Sequence, residues 1–213
     1  MMEQTPSFIS PPLIPEDLRL PETLKLGVLA SGSGSNFEAI AHSIAQGQLN
    51  AQIQVLIYNK PKAKARERAE RLGIPAILLN HRHFRSREAL DHEIVNTFKQ
   101  HDVEWVIMAG WMRIVTPVLL DAYCDRVLNI HPSLLPSFPG VDGVEQALAA
   151  GVKVTGCTVH IAKEEVDSGP ILMQAAVPIL PDDTSETLHA RIQVQEHLIF
   201  PRAIALAALQ YSE

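Results

Sequence analysis

Apolar residues along the chain fall into short runs separated by stretches with helical spacing. From Lys25, LKLGVLA is an apolar run, then comes SGSGSN, then FEAIAHSIAQG with helical spacing and a terminal Gly47. AQIQVLIYN predicts a second strand, KAKARERAERLG a helix closed by Gly73, IPAILLN a third strand, and SREALDHEIVNTFKQH a third amphipathic helix. VEWVIMAG and RVLNIHP are apolar on both faces, as buried parallel strands are. TGCTVHIA and ILMQAAVPI predict later strands. The last pattern, TSETLHARIQVQEHLIFPRAIALAALQYS, predicts a helix that opens with a Thr/Ser cap and Glu186 and bends or breaks near Pro201. This alternation predicts an α/β fold, an open, mostly parallel twisted sheet with helices on both faces. Ligands of such sheets sit at the carboxyl ends of the strands, near a topological switch point.

Ahead of this pattern, residues 1–23 carry five of the fifteen prolines and a single basic residue, Arg19. Such a segment forms neither a helix nor a central strand, so it reads as an extended arm or a disordered tail. The domain is expected over residues 24–213. A chain of 213 residues is long enough to bury a core without a disulfide or metal staple. Its formal net charge of −6 opposes a nucleic-acid partner gripped through phosphates. The two cysteines, Cys124 and Cys157, form no CxxC pair, which points to a reducing compartment. No signal-peptide pattern or long uncharged apolar span is visible, so a cytoplasmic protein without a membrane partner is expected.

Three segments carry candidate chemistry. Ser31-Gly32-Ser33-Gly34-Ser35-Asn36 lies between a strand and a helix, where small residues let backbone N–H groups approach an anion such as phosphate. It is neither a dinucleotide fingerprint, since Phe37 stands where the third glycine would, nor a P-loop. Its bland alternative is a tight turn with Ser35 or Asn36 as an ordinary N-cap. In Asn129-Ile130-His131-Pro132, strand alternation puts the amide and the imidazole on one side at a strand end. They suit a carbonyl under attack, although a strand-end His is also a common structural hydrogen-bonder. Leu135-Pro136 in the same loop is a candidate cis bond. The loop Lys163 to Pro170 is acidic and reads as a solvated hairpin, unless Asp167 folds back onto His131 and favours its imidazolium form. His81 and His83 lack metal-site spacing, no metal is expected, and His160 alternates with Thr158 on a strand.

Together, SGSGSN, MRIV at 112–115, NIHPSLLPSFPG at 129–140 and DSGPILMQ at 167–174 resemble the folate-dependent glycinamide ribonucleotide formyltransferases. The likeness runs from about Lys25 to the C-terminus and implies a Rossmann-like formyltransferase fold. It implies formyl transfer from 10-formyltetrahydrofolate, as co-substrate, to the amine of glycinamide ribonucleotide in purine biosynthesis. By the family pattern, Asn129 hydrogen-bonds the tetrahedral oxyanion, protonated His131 stabilises it and manages protons, and Asp167 keeps His131 charged. The resemblance implies that Gly34, Ser35, Asn36, Gln193 and Glu196 bind the ribonucleotide. It assigns Arg87, Met112, Arg113, Ile114, Val115 and Asn129, with Lys163, Glu164, Glu165, Val166 and Asp167, to the folate.

Two features depart from that family. Where a histidine-containing stretch often follows Pro-Gly, this chain has Val141-Asp142-Gly143-Val144, and the Pro-rich arm is additional. The alternatives are a hydrolase that deformylates the same folate with water and a non-catalytic folate or phospho-ligand sensor. The hydrolase relative carries a further regulatory domain and the initiator methionyl-tRNA formylating relative a C-terminal one, neither of which is expected here. A monomer or homodimer is expected.

Overall fold

The computed structural model describes residues 8–12 and 18–211. Its strands are β1 (Phe8–Ser10), β2 (Leu24–Ala30), β3 (Ala51–Tyr58), β4 (Ala76–Leu78), β5 (Trp105–Met108), β6 (Val127–His131), β7 (Val154–Ile161) and β8 (Ile171–Pro178). Its helices are α1 (Ser35–Ala45), α2 (Ala65–Leu72), α3 (Arg87–Gln100), α4 (Pro117–Ala122), α5 (Gly143–Ala150) and α6 (Ser185–Tyr211).

The eight strands form one sheet in the order β1-β8-β7-β6-β5-β2-β3-β4. Pairing is parallel from β6 through β5, β2 and β3 to β4, and antiparallel among β6, β7, β8 and β1. After β2 the chain winds toward β3 and β4, and β5 returns to the other side of β2. The switch point therefore lies at the carboxyl ends of β2 and β5.

Helices cover both faces because the parallel strands are apolar on both. Leu26, Val28, Leu56, Ile107 and Leu128 pack with α1, α2 and α6 through Phe37, Ile40, Ala69, Ile192 and Phe200. Leu29, Val55, Ile57, Val106 and Met108 pack with α3 and α4 through Leu90, Ile94, Phe98 and Leu119. Gly27 permits this contact, since a Cβ there would stand 2.6 Å from the Phe98 ring. Phe98 is fully buried and meets Tyr123 edge-on, with centroids 6.2 Å apart. Truncating such a ring to alanine costs about 3–5 kcal/mol through lost burial and the cavity left behind.

Local signals set most boundaries. Ser86 caps α3 by accepting the Ala89 N–H at 3.1 Å, Pro117 opens α4, and Gly73 ends α2 in the left-handed region. The cap of α6 is Thr184. Its hydroxyl accepts the Thr187 N–H at 3.2 Å and the Thr187 hydroxyl accepts the Thr184 N–H at 2.9 Å, so Thr187 rather than Glu186 closes the box. The expected break at Pro201 is absent, because α6 is one helix on both sides of it. Ile199, Phe200, Ala203 and Ile204 are all buried, and their packing offsets the roughly 3 kcal/mol that a mid-helix proline costs. In the N-terminal segment, Phe8–Ser10 pair with Gln174–Ala176 as an edge strand, and Leu18 is buried in the core. Residues 1–7 and 13–17 of the expected arm lie outside the described residues.

Candidate active site

Antiparallel pairing of β6 with β7 sets Asn129 opposite His160 and His131 opposite Thr158. Apolar neighbours on these strands, Leu128, Ile130, Cys157 and Val159, turn into the α6-side core, so the polar four share the other face. Thr158 anchors the loop after β6. Its hydroxyl donates to Ser133 O at 2.7 Å and accepts the Leu135 N–H at 3.0 Å and the Gln174 amide at 2.9 Å. The Leu135–Pro136 bond in that loop is cis.

Asp167 does fold back. The loop between β7 and β8 closes tightly at Gly169, where a Cβ would lie 1.7 Å from Ile161 O, and Ile161 N donates to Pro170 O at 2.9 Å. One Asp167 carboxylate oxygen then lies 3.3 Å from His131 Nδ1 and accepts the Gly140 N–H at 2.8 Å. The other accepts from the Asn129 amide at 3.3 Å and lies 3.6 Å from His160 Nε2. Burial alone pushes the Asp167 carboxyl up. The His160 contact, the Gly140 N–H and the charges of both histidines outweigh it, leaving the carboxyl below its ordinary value.

His131 is 5% exposed, and its Nε2 faces Phe138 O at 2.8 Å. Both ring nitrogens therefore face acceptors, and the form that pairs both is the imidazolium. Gly143, at the start of α5, leaves room for the ring, since a Cβ there would stand 3.2 Å from His131 Nε2. Asn129 Nδ2 also lies 3.1 Å from His160 Nε2, while His160 Nδ1 faces Ile161 O at 3.0 Å. His160 Nε2 thus stands between the Asn129 amide and the Asp167 carboxylate.

The SGSGSN loop is not an ordinarily capped turn. The N-cap of α1 is Gly34, at φ 74°, with no side-chain cap. Ser35 and Asn36 spend their side chains on α6 instead. The Gln193 amide donates to Ser35 Oγ at 2.9 Å, and the Asn36 amide donates to Glu196 at 2.8 Å. The uncapped first-turn N–H groups suit an anion. Glu196 is 4% exposed, and burial pushes its carboxyl up against the pull of Asn36, His189 and His131. The structure thus brings Gly34, Ser35, Asn36, Gln193 and Glu196 together.

A second loop, after β5, carries Met112, Arg113, Ile114 and Val115. Ser31 N donates to Gly110 O at 3.0 Å and Ser31 Oγ accepts the Met112 N–H at 2.9 Å, which ties the loops of β2 and β5 together at the switch point. Its far end is held by buried Asp91 of α3, which accepts from the Thr116 N–H at 2.6 Å and hydroxyl at 2.8 Å. Arg87 stands one turn before Asp91 on the same helix face. Met112 and Ile114 are 70% and 50% exposed, an apolar surface beside the polar cluster. Lys163, Glu164, Glu165 and Val166 are exposed, and Lys163 is paired with Asp125.

No local pattern in the sequence marks Thr158, Gln174, Asp91 or the Gly140 N–H as supports, and His160 is visible there only as a strand residue alternating with Thr158. Strand alternation on TGCTVHIA already placed Thr158 and His160 on one face, but only the β6–β7 register turns that face toward Asn129 and His131. His81 and His83 lie in a 3-10 turn, where His81 Nδ1 faces Asn59 O at 3.0 Å. Among the described residues no cluster of His, Cys, Asp or Glu is arranged to hold a metal, and no helix is long and apolar enough to cross a membrane.

Comparison with known proteins adds a family. Residues 24–204 match the formyl transferase model. A phosphoribosylglycinamide formyltransferase of Bacillus subtilis is 44% identical over 180 residues, covering 84% of this chain and 92% of the relative. The human trifunctional purine biosynthetic protein adenosine-3 is 43% identical over 184 residues, 86% of this chain but 18% of that longer one. A crystal structure of glycinamide ribonucleotide transformylase 1 from Symbiobacterium toebii superposes with a TM-score of 0.87 at 43% identity, covering 90% of each chain. The match takes in the strands from β2 to β8 and every loop that builds the site, and the chain belongs to the formyl transferase family.

Proposed function

We propose that the chain transfers the formyl group of 10-formyltetrahydrofolate to the amine of glycinamide ribonucleotide. The observation that carries this reading is the convergence of Asn129, His131 and Asp167 in one largely buried network at the end of β6. The amine attacks the formyl carbon and the carbonyl electron pair moves to oxygen. The developing oxyanion is met by the Asn129 amide and by the charge of His131, both aimed before the reaction begins. The amine then loses a proton, N10 of the folate gains one, and the C–N10 bond breaks as the carbonyl re-forms. Formylglycinamide ribonucleotide and tetrahydrofolate result, and one proton has passed from amine to N10. Asp167 pairs with His131 at Nδ1, and its carboxylate would relay this proton through a water.

In this reading the ribonucleotide phosphate lies on the N–H groups of Gly34, Ser35 and Asn36, and the ribose meets Gln193 and Glu196. The pterin lies against the 112–115 loop and the Lys163–Asp167 loop, with Arg87 toward the carboxylates of the folate tail. The test is an absorbance assay of deformylated folate with and without the ribonucleotide. Turnover that requires the ribonucleotide supports transfer, and turnover in water alone identifies a hydrolase. Folate binding without turnover under either condition identifies a sensor.

A further inference from the structure

We infer that Arg68 of α2 is a positioning residue for the 31–36 loop, fixing its shape for the phosphate; this rests on the ribonucleotide reading above. Three successive loop carbonyls are tied back by donors. Gly32 O accepts the Ala65 N–H at 3.2 Å, Ser33 O accepts Arg68 Nε–H at 2.8 Å, and Gly34 O accepts the Glu38 N–H at 3.0 Å. In a planar trans peptide the C=O and the following N–H point in opposite directions. Holding the carbonyls of Ser33 and Gly34 therefore turns the N–H groups of Gly34 and Ser35, two of the three phosphate donors, the other way, toward the anion. Tying back all three carbonyls also removes oxygens that would repel a phosphate. Only Ser33 O depends on a side chain for its partner, and that side chain is Arg68.

The same guanidinium meets a second need. Glu38 stands in the first turn of α1, where its charge suits the helix dipole but opposes a bound phosphate. Arg68 and Arg71 both pair with it. Arg68 is 27% exposed and reaches loop and carboxylate together, whereas Arg71 is 63% exposed and pairs with Glu38. Gly34 fits the same clamp, since a Cβ there would stand 2.7 Å from Ala65 Cβ. On the other side, burial and then the Arg68 charge hold the His197 imidazole of α6 below its ordinary range.

Steady-state kinetics of Arg68→Met, Arg68→Lys and Arg71→Met, with melting curves, test this role. Arg68→Met is expected to raise KM for the ribonucleotide about tenfold while kcat and KM for the folate stay within about twofold. Arg68→Lys keeps the charge but cannot hold loop and carboxylate in one plane, so about a threefold rise is expected. Arg71→Met leaves the ribonucleotide KM within about twofold. An unchanged KM in both Arg68 variants, or an equal rise in Arg71→Met, overturns the role; if Arg68→Met does not fold, Arg68→Lys decides alone. A wild-type enzyme whose rate does not saturate with the ribonucleotide would instead sink the functional reading itself.

Discussion

Asp167 Oδ2 lies 3.3 Å from His131 Nδ1, although 36 positions separate the two residues and neither shares an element with the other. Three local features make the meeting possible. The β6–β7 register sets the end of β7 beside Leu128 and Asn129, Gly169 turns the following loop back on Ile161, and the Gly140 N–H fixes the carboxylate.

Asp167→Asn removes the negative charge while keeping the shape. We expect kcat to fall about 100-fold or more, with both KM values little changed. Stability carries a second signature. The Asp167 carboxyl lies below its ordinary value when folded, so its ionic contribution is full above the unfolded pKa of about 3.9 and is lost as pH falls through the folded value. Melting curves of wild type and variant from pH 7 to pH 2 should therefore converge on the acid side. A gap that stays constant throughout would argue that Asp167 is a neutral spacer.

His160 touches Asn129 and Asp167 from a position 2% exposed. In His160→Leu the Asn129 amide keeps Asp167 but loses its second contact, and its aim loosens. A fall in kcat of up to about 100-fold, with KM for either substrate unchanged, is expected from such misplacement. An equal loss of folate affinity would show that His160 serves binding instead.

Much of the scaffold was legible. The buried parallel strands are continuous apolar runs, and long helices such as α3 carry a cap and a spacing that survive without tertiary context. The short α4 and β1 fall below the length at which spacing discriminates, and α5 opens on Gly143 behind a left-handed Asp142 rather than on a recognisable cap. The uninterrupted α6 was hidden because Pro201 reads as a breaker until its buried neighbours are known. Asn129 and His131 stood out through alternation on one strand. Thr158, His160 and Arg68 did not, since their importance depends on strand order and helix docking that no local pattern encodes.

Gly34→Ala tests the anion loop itself. At φ 74° an alanine is strained, and its Cβ would stand 2.8 Å from the Ala65 backbone. Roughly 2 kcal/mol of stability should be lost, together with affinity for the ribonucleotide but not for the folate. Calorimetric titration of each substrate separates these outcomes, and unchanged ribonucleotide affinity in a folded variant would place the phosphate elsewhere.

Asp183 anchors the start of α6, and with it Gln193 and Glu196. It receives Arg191 at 2.6 and 2.9 Å and the Leu180 N–H at 2.7 Å, and Arg191 holds its carboxyl far below the ordinary range. Because the folded pKa is depressed, the pair stabilises the protein at neutral pH and is lost only in strong acid. Asp183→Asn should cost roughly 2 kcal/mol at pH 7 by chemical denaturation, and the cost should shrink in acid. A loss that grows as pH falls would contradict this assignment.

The most direct measurement follows a carbon-13 label in the formyl group of 10-formyltetrahydrofolate by NMR, with ribonucleotide present, for wild type and His131→Ala. The account predicts that wild type moves the label onto the ribonucleotide amine without free formate, and that His131→Ala binds both substrates but transfers little. Label released as formate by wild type, or transfer at an undiminished rate by His131→Ala, would contradict direct transfer at this site.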